Sequence, residues 1–266
     1  MLAVMEKLPT RIVDKPWGRT GIDPVFGADA ARKVGEIWFE PPPGRELGVM
    51  AKYLFTSERL SVQVHPDDKV ARSRGHANGK DECWLILDAE PGAELGIGTI
   101  RPVGDEELMK AALDGSIVDL VDWRHPKAGD FFYNPAHTVH ALGAGLTVLE
   151  IQQPIDLTYR LYDYGRAREL HLDRVQGSVH ARPHHDRRDG PVGAVTRMLV
   201  EDGPFAVAWC VGTPPPVPDG LNQVQLLPTD APVANVAPGE CALLTSEEAN
   251  ALRSEGCFVL AWPLPV

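Results

Sequence analysis

The 266-residue chain is long enough to bury a hydrophobic core, as either one large domain or two smaller ones. Its 44% hydrophobic and 24% charged residues are typical of globular proteins, which excludes a fibrous or disordered chain. The formal net charge of −11 disfavours nucleic acid and anionic membranes as partners, because both are polyanions. An anionic ligand would therefore need a locally basic site.

The four cysteines show no CxxC spacing, and three of them lie in apolar, strand-like surroundings, so we expect buried, reduced thiols in a cytoplasmic protein. They are Cys83, Cys210, Cys241 and Cys257. The first eleven residues contain an acid and a base and no sustained apolar run, so no secretory signal is predicted. No stretch approaches the roughly 18 apolar residues of a membrane span.

Glycine and proline punctuate the whole chain, with 25 and 24 residues respectively, which favours short strands between frequent turns. Residues 1–50 form a predicted strand and loop region, with a short strand in GEIWFE. From Val49 to Val64, two β-prone runs broken by TSER predict a pair of strands joined by a tight turn. The polar segment 67–81 is rich in turn residues, and a strand is expected at 82–88.

Residues 105–123 have the apolar spacing of an amphipathic helix, which Gly115 should divide into two short helices. Residues 127–153 alternate apolar runs with Gly, Pro and Asn, which predicts about four strands. After a charged link, in which His184 and His185 are expected to face solvent, a second, smaller β unit follows from about Gly190. We therefore expect an all-β fold, a barrel or jelly roll with one helical insertion.

Four residues near strand ends form a candidate metal site. Gln63 and His65 have the period-two spacing that places both side chains on one face of a strand. Glu82 begins the next strand, and His140 lies in a later one. One amide oxygen, two imidazoles and one carboxylate suit zinc; iron, cobalt or manganese also fit, and copper is disfavoured without a thiolate. Taken singly, His65 is more simply a turn residue before Pro66 and His140 a core residue in an apolar strand; it is the set of four that favours a metal site.

The segments LSVQVHPDD, GKDECWLIL and NPAHTVHALGAGLTVLEIQQPIDLTYRLYDYGR occur in that order. In sequence and spacing they resemble the type I mannose-6-phosphate isomerases, most closely the short bacterial form, from about Trp17 to Asp173. The resemblance implies a cupin-type β-barrel, one zinc ion per chain, and interconversion of mannose 6-phosphate and fructose 6-phosphate. From the resemblance together with the sequence pattern beyond Gly190, we predict a catalytic domain over residues 1–175 with the helical insertion at about 100–124, a linker at 176–190, and a smaller β domain at 191–266.

Residue by residue, Gln63, His65, Glu82 and His140 match the metal ligands of that family. Arg160 matches its active-site arginine; being permanently charged, it would hold an anion or stabilise an enediolate. Glu150 matches an acidic position and is the first candidate for the catalytic base, with orientation of Arg160 as the alternative role.

Two lysines are further candidates. Lys80, two residues before Glu82, would contact phosphate or a hydroxyl, or carry protons. Lys52 is a candidate for phosphate binding, although a surface lysine on an alternating strand fits as well. One departure from the family is His137, where a glycine is usual. Three interpretations of this histidine are open: it reshapes the mouth of the pocket, it adds a proton carrier, or it is a tolerated substitution in a turn.

Two other classes of function remain open. The first is a cupin that binds a sugar phosphate without catalysis, although such a protein would not need to retain these metal ligands. The second is a cupin with oxidative chemistry, with which glutamine and carboxylate ligation fits poorly. The expected partner is a hexose 6-phosphate, and the expected assembly is a monomer or a weak homo-oligomer.

Overall fold

The computed structural model describes residues 5–175 and 177–265, so the predicted domain limits at residues 1, 176 and 266 lie outside it. Strands dominate these residues, in agreement with the predicted all-β class. The strands are β1 (Glu6–Lys7), β2 (Thr10–Arg19), β3 (Val34–Phe39), β4 (Met50–Phe55), β5 (Val62–Val64), β6 (Glu82–Ala89), β7 (Leu95–Thr99), β8 (Val121–Arg124), β9 (Asp130–Asn134), β10 (His140–Leu142), β11 (Leu146–Gln152), β12 (Tyr159–Tyr162), β13 (Gly190–Pro191), β14 (Arg197–Val200), β15 (Phe205–Val211), β16 (Val224–Pro228), β17 (Ala242–Leu244) and β18 (Cys257–Pro263). The helices are α1 (Asp68–Ser73), α2 (Asp105–Asp114), α3 (Ile117–Leu120) and α4 (Ser246–Asn250), with 3-10 turns at Pro24–Phe26 and Leu172–Arg174.

The chain divides into two compact units. Of the described residues, one unit contains 16–18, 54–175 and 177–190, and the other contains 5–15, 19–53 and 191–265. The assignment of the catalytic domain to residues 1–175 stays a prediction. All the residues predicted to bind the metal ion lie in the first of these units, which we call the metal-site unit.

Two antiparallel sheets form the metal-site unit. One has the strand order β12-β5-β10-β7-β8, and the other contains β9-β6-β11. Side chains from both sheets, among them Trp84 and Ile86 of β6 and Leu95 and Ile97 of β7, pack into one buried cluster. The two sheets therefore face each other across a shared core, as in the predicted cupin-type barrel.

The helical insertion is confirmed between residues 105 and 120. Three acidic residues begin α2, where they interact favourably with the helix dipole, and Gly115 ends it with a φ of 87°. Leu108 and Ile117 pack with Val62 and Leu161 of the five-stranded sheet. The helices thus cover the face of that sheet that would otherwise expose its apolar side chains.

The other unit is built on a six-stranded antiparallel sheet in the order β1-β17-β16-β18-β15-β14. Its core consists of alternate residues of neighbouring strands, including Ala206 and Ala208 of β15 and Phe258 and Leu260 of β18. Five of its six strands follow Gly190, where a second β unit is predicted; the predicted domain of residues 191–266 stays a prediction.

Three local predictions are wrong. β4 and β5 do not form a hairpin, because the intervening Leu60 N–H donates to Leu142 O and β5 pairs with β10 and β12. The turn-rich segment after His65 contains α1, which Asp67 caps by accepting a hydrogen bond from Val70 N. Residues 127–153 form three strands instead of four.

All four cysteines are free, and three of them are buried, as predicted. Among the described residues, no helix is both long enough and apolar enough to span a membrane.

Candidate metal centre

Three buried side chains from both sheets converge at the centre of the metal-site unit. His65 follows directly after β5, Glu82 is the first residue of β6, and His140 is the first residue of β10. One ligand atom of each lies within 4.8 Å of those of the other two. The side chains of all three are at most 2% exposed. A buried cluster of two imidazoles and one carboxylate is an ordinary donor set for a divalent metal ion.

Backbone carbonyl groups fix the orientation of both imidazoles. His65 Nδ1 lies 2.8 Å from Leu157 O, and His140 Nδ1 lies 2.9 Å from Thr138 O. Since a carbonyl oxygen only accepts, each Nδ1 carries the proton and each Nε2 keeps its lone pair. Each Nε2 lies 3.4 Å from an oxygen of Glu82, so both lone pairs are directed towards the carboxylate.

The electrostatic environment favours the protonation states that a metal ion requires. Burial lowers the pKa of His65 to about 4, with a further contribution from the charge of Lys80, and burial also lowers the pKa of His140. Burial alone would raise the pKa of Glu82, but Lys80 and His65 bring it well below its ordinary value. The cluster therefore presents two neutral imidazoles and one anion at neutral pH.

The half-buried amide of Gln63 lies against the same cluster. Gln63 pairs with His140 across β5 and β10, which places both side chains on one face of the sheet. Gln63 Nε2 lies 3.2 Å from His140 Nε2, and Gln63 Oε1 accepts a hydrogen bond from Ser61 Oγ. Rotation of the amide by half a turn would exchange the two atoms and direct the oxygen towards the centre. The role of Gln63 as a fourth ligand stays a prediction.

Lys80 and Glu150, both predicted catalytic residues, are buried beside the cluster. Lys80 Nζ lies 2.6 Å from Glu82 Oε2 and 3.3 Å from Glu150 Oε1. The other oxygen of Glu150 accepts a hydrogen bond of 3.1 Å from Trp84 Nε1. An ammonium group and a carboxylate within reach of each other can exchange a proton, which is the property that isomerisation needs.

Arg160 and Lys52 are the other two predicted substrate-binding residues. Arg160 is in register with Gln63 on β12, and its guanidinium donates a hydrogen bond to Glu169 O. Lys52 belongs to the other unit, where its ammonium lies 3.9 Å from Glu36 Oε2 and over the ring of Trp38. Their roles in substrate binding stay predictions.

One residue beside the metal ligands escaped the sequence analysis. Asn134 at the end of β9 donates a hydrogen bond of 2.7 Å to Glu82 Oε1, which holds the carboxylate in place. Its only signal in the sequence is its position before Pro135, at a strand end. The pairing of Asn134 with Glu82 across β9 and β6 could not be read from one sequence.

The structure also gives the surroundings of His137, His184 and His185. His137 adopts the left-handed region with a φ of 70°, the conformation for which glycine is usual, and its Nε2 lies 3.3 Å from Asp67 Oδ2. The solvent-facing prediction is correct for His185 but wrong for His184. His184 is buried because its Nε2 lies 3.1 Å from Asp189 Oδ2 and its carbonyl oxygen accepts a hydrogen bond from Arg124.

The fold and this cluster together define a cupin-type β-barrel protein with a site that fits a divalent metal ion. No protein family model matches the chain. It is 38% identical to the probable mannose-6-phosphate isomerase GmuF of Bacillus subtilis, over 62% of this chain and 56% of that protein. It is 41% identical to the mannose-6-phosphate isomerase of Streptococcus mutans, over 47% of this chain and 42% of that one. The chain thus spans about half the length of the curated relatives it matches.

Solved structures of such isomerases share the fold. The Bacillus subtilis mannose 6-phosphate isomerase superposes with a TM-score of 0.78 at 24% identity, covering 97% of this chain and 98% of that one. A zinc-bound mannose 6-phosphate isomerase superposes with a TM-score of 0.70 at 15% identity, covering 99% and 100%. The resemblance to type I mannose-6-phosphate isomerases that the sequence motifs predict is therefore confirmed.

Proposed function

We propose that the chain is a metal-dependent aldose-ketose isomerase that interconverts mannose 6-phosphate and fructose 6-phosphate in the cytoplasm. The observation that carries this proposal is the buried cluster of His65, Glu82 and His140 with the Lys80–Glu150 pair beside it. The names of the relatives in Bacillus subtilis and Streptococcus mutans support the same activity and the same substrate.

We further propose that one zinc ion is bound by Gln63, His65, Glu82 and His140. A bound zinc ion would polarise the sugar oxygens and stabilise negative charge on them. The two neutral imidazoles and the Glu82 carboxylate are suited to hold a divalent cation without first losing a proton. Asn134 keeps Glu82 oriented through its hydrogen bond.

The chemistry moves one proton between neighbouring carbons. A base removes the proton from C2, and the electron pair of the broken C2–H bond forms the C1=C2 bond of an enediolate, whose charge rests on O1. A proton is then delivered to C1, while O1 gains a proton and O2 loses one, which leaves a ketone at C2. The sum of atoms and electrons is unchanged, so no redox cofactor is needed.

Glu150 is the proposed base, and Lys80 is its proton-carrying partner. Trp84 Nε1 holds one oxygen of Glu150, which leaves the other facing Lys80 at 3.3 Å. Burial of both side chains excludes water, which would otherwise exchange with the transferred proton. Arg160 supplies a fixed positive charge for the enediolate or the phosphate, and Lys52 is retained as a second candidate for the phosphate.

The test is conversion of mannose 6-phosphate to fructose 6-phosphate by the purified chain, before and after treatment with a chelator. We expect activity to disappear with the metal, to return when zinc is added, and to be absent in His140→Ala. If the zinc-loaded chain binds mannose 6-phosphate without converting it, the isomerase proposal is wrong and the non-catalytic sugar-phosphate-binding cupin takes its place.

A further inference from the structure

A second concave site lies in the metal-site unit, beside the loop that leads into β10. It is a cavity of about 500 Å³, lined by that loop and by the segment 180–186. Thr138 in the loop forms a parallel bridge with His180, so the two walls are joined through the backbone. A volume of this order accommodates a small phosphorylated metabolite.

One arginine and three histidines line the cavity, in a chain whose formal net charge is −11. Arg182, His180 and His185 line it and are exposed. Within residues 5–175 and 177–265, no carboxylate forms an ion pair with the Arg182 guanidinium, and no hydrogen bond engages it. Asp186 is the one acidic residue of the lining, and both of its oxygens accept hydrogen bonds from Arg188, at 2.8 and 2.7 Å.

A guanidinium that forms no ion pair with the described residues, in a concave site, can donate hydrogen bonds to a phosphate. Its planar fork donates two parallel hydrogen bonds to an anion of this geometry, and a dianion gains most from the permanent charge. The imidazoles of His180 and His185 and the hydroxyl of Thr138 add further polar groups to the walls. In a chain whose net charge is −11, the exposed Arg182 guanidinium makes this cavity a place where an anion is attracted.

The same loop connects the cavity to the metal centre. Thr138 lines the cavity, while its carbonyl oxygen lies 2.9 Å from Nδ1 of His140. Because Thr138 and His140 are two positions apart in extended chain, their Cα atoms are about 7 Å apart. His137, between the cavity residues Ala136 and Thr138, donates its backbone N–H to His65 O. An occupant of the cavity therefore rests on the segment that orients two of the candidate ligands.

We propose that this cavity binds a phosphate monoester, with Arg182 as the principal anion-binding residue. The identification of that ligand with the phosphate end of the hexose 6-phosphate rests on the proposed function. A separate phosphorylated metabolite offers the same chemistry and is the other source of the ligand.

The first experiment needs no turnover. Inorganic phosphate is titrated into the zinc-loaded protein in an isothermal calorimeter. The variants are Arg182→Ala and the matched control Arg187→Ala, an exposed arginine directly after the segment 180–186 that does not line the cavity. We expect Arg182→Ala to weaken phosphate binding at least tenfold and Arg187→Ala to change it less than twofold. Equal binding by all three proteins, or none by the wild type, overturns the inference, whether or not the chain proves to be an isomerase.

The second experiment identifies the source of the phosphate. If it belongs to the substrate, Arg182→Ala raises KM for mannose 6-phosphate at least tenfold with little change in kcat, and inorganic phosphate inhibits competitively. If it belongs to a separate metabolite, KM is unchanged and phosphate alters the rate of the wild type without competing with substrate. Either result supports the site; a rate insensitive to both phosphate and the Arg182→Ala substitution contradicts it.

Discussion

Lys80 Nζ lies 2.6 Å from Glu82 Oε2, nearer to that carboxylate than either candidate histidine ligand. It also lies 3.2 Å from His65 Nε2 and 3.3 Å from Glu150 Oε1. One buried ammonium therefore balances two buried carboxylates and, at the same time, stands next to two of the atoms expected to bind the metal ion. Lys80 and a bound cation would compete electrostatically for Glu82.

The substitution Lys80→Met tests this competition. In chelator-treated protein we expect the free energy of unfolding to fall by roughly 3–5 kcal/mol, because two buried carboxylates lose their counter-ion. Zinc affinity should rise, since Glu82 is released to the metal, while kcat should fall at least about 100-fold if Lys80 carries protons. Urea unfolding, competitive zinc titration and steady-state kinetics measure the three quantities. Lys69→Met, at an exposed position, is the control; wild-type kcat in Lys80→Met would remove Lys80 from the chemistry.

The stability of the metal-free protein should depend on pH through His65. Its pKa is about 4 in the folded chain and about 6.5 when unfolded. Between these values the unfolded chain binds a proton that the folded chain does not, so the free energy of unfolding falls as the pH is lowered from 7 to 4, by about 3 kcal/mol. Urea unfolding across this pH range measures the slope.

His65→Asn should flatten this dependence, whereas His125→Asn, at an exposed histidine, should preserve it. The carboxylate of Glu82, whose pKa is lowered in the folded chain, adds a loss in the same direction as the pH approaches its ordinary value and falls below it. A metal-free protein equally stable at pH 7 and pH 4 would show that His65 is not buried in its neutral form.

Removal of the Asn134 side chain should weaken metal binding without unfolding the protein. Asn134→Ala takes away the donor that holds Glu82 Oε1, and the loss of such an orienting partner typically costs about 10–100-fold in metal affinity. Competitive zinc titration measures it, with Asn222→Ala as a control on the exposed surface of the other unit. Unchanged affinity in Asn134→Ala would mean that Glu82 is oriented by other groups.

The left-handed backbone at His137 gives a prediction that separates backbone strain from side-chain contact. His137→Gly and His137→Ala both lose the contact with Asp67, but only alanine keeps a β-carbon at a φ of 70°. The glycine variant should therefore be the more stable of the two by about 1 kcal/mol in urea unfolding. Equal stabilities would show that the loop relaxes to negative φ once the imidazole is removed.

The sequence was informative where a residue type and its local spacing suffice. The helices on either side of Gly115, the strand that begins at Glu82 and the candidate ligands near strand ends all follow from short-range patterns or from the family motifs. Contacts that depend on pairing between distant strands could not be predicted from such local patterns. Asn134 reaches Glu82 only because β9 pairs with β6, and β5 pairs with β10 and β12 instead of β4.

His184, in the charged link before the second sheet, was predicted wrongly for a physical reason. Composition predicts that His184 faces solvent, but Arg124 and Asp189 satisfy its polar groups and allow its burial. A buried polar residue with distant partners has the same local sequence signature as an exposed one.

The candidate ligands come from different sheets: His65 follows β5 and His140 begins β10 of one sheet, and Glu82 begins β6 of the other. Because these residues are distant along the chain, we expect them to meet only after both sheets have formed and docked, late in folding. A metal ion that requires all three would then stabilise the native state far more than the transition state. Zinc should consequently leave the refolding rate nearly unchanged and slow the unfolding rate, making the protein resistant to transient opening.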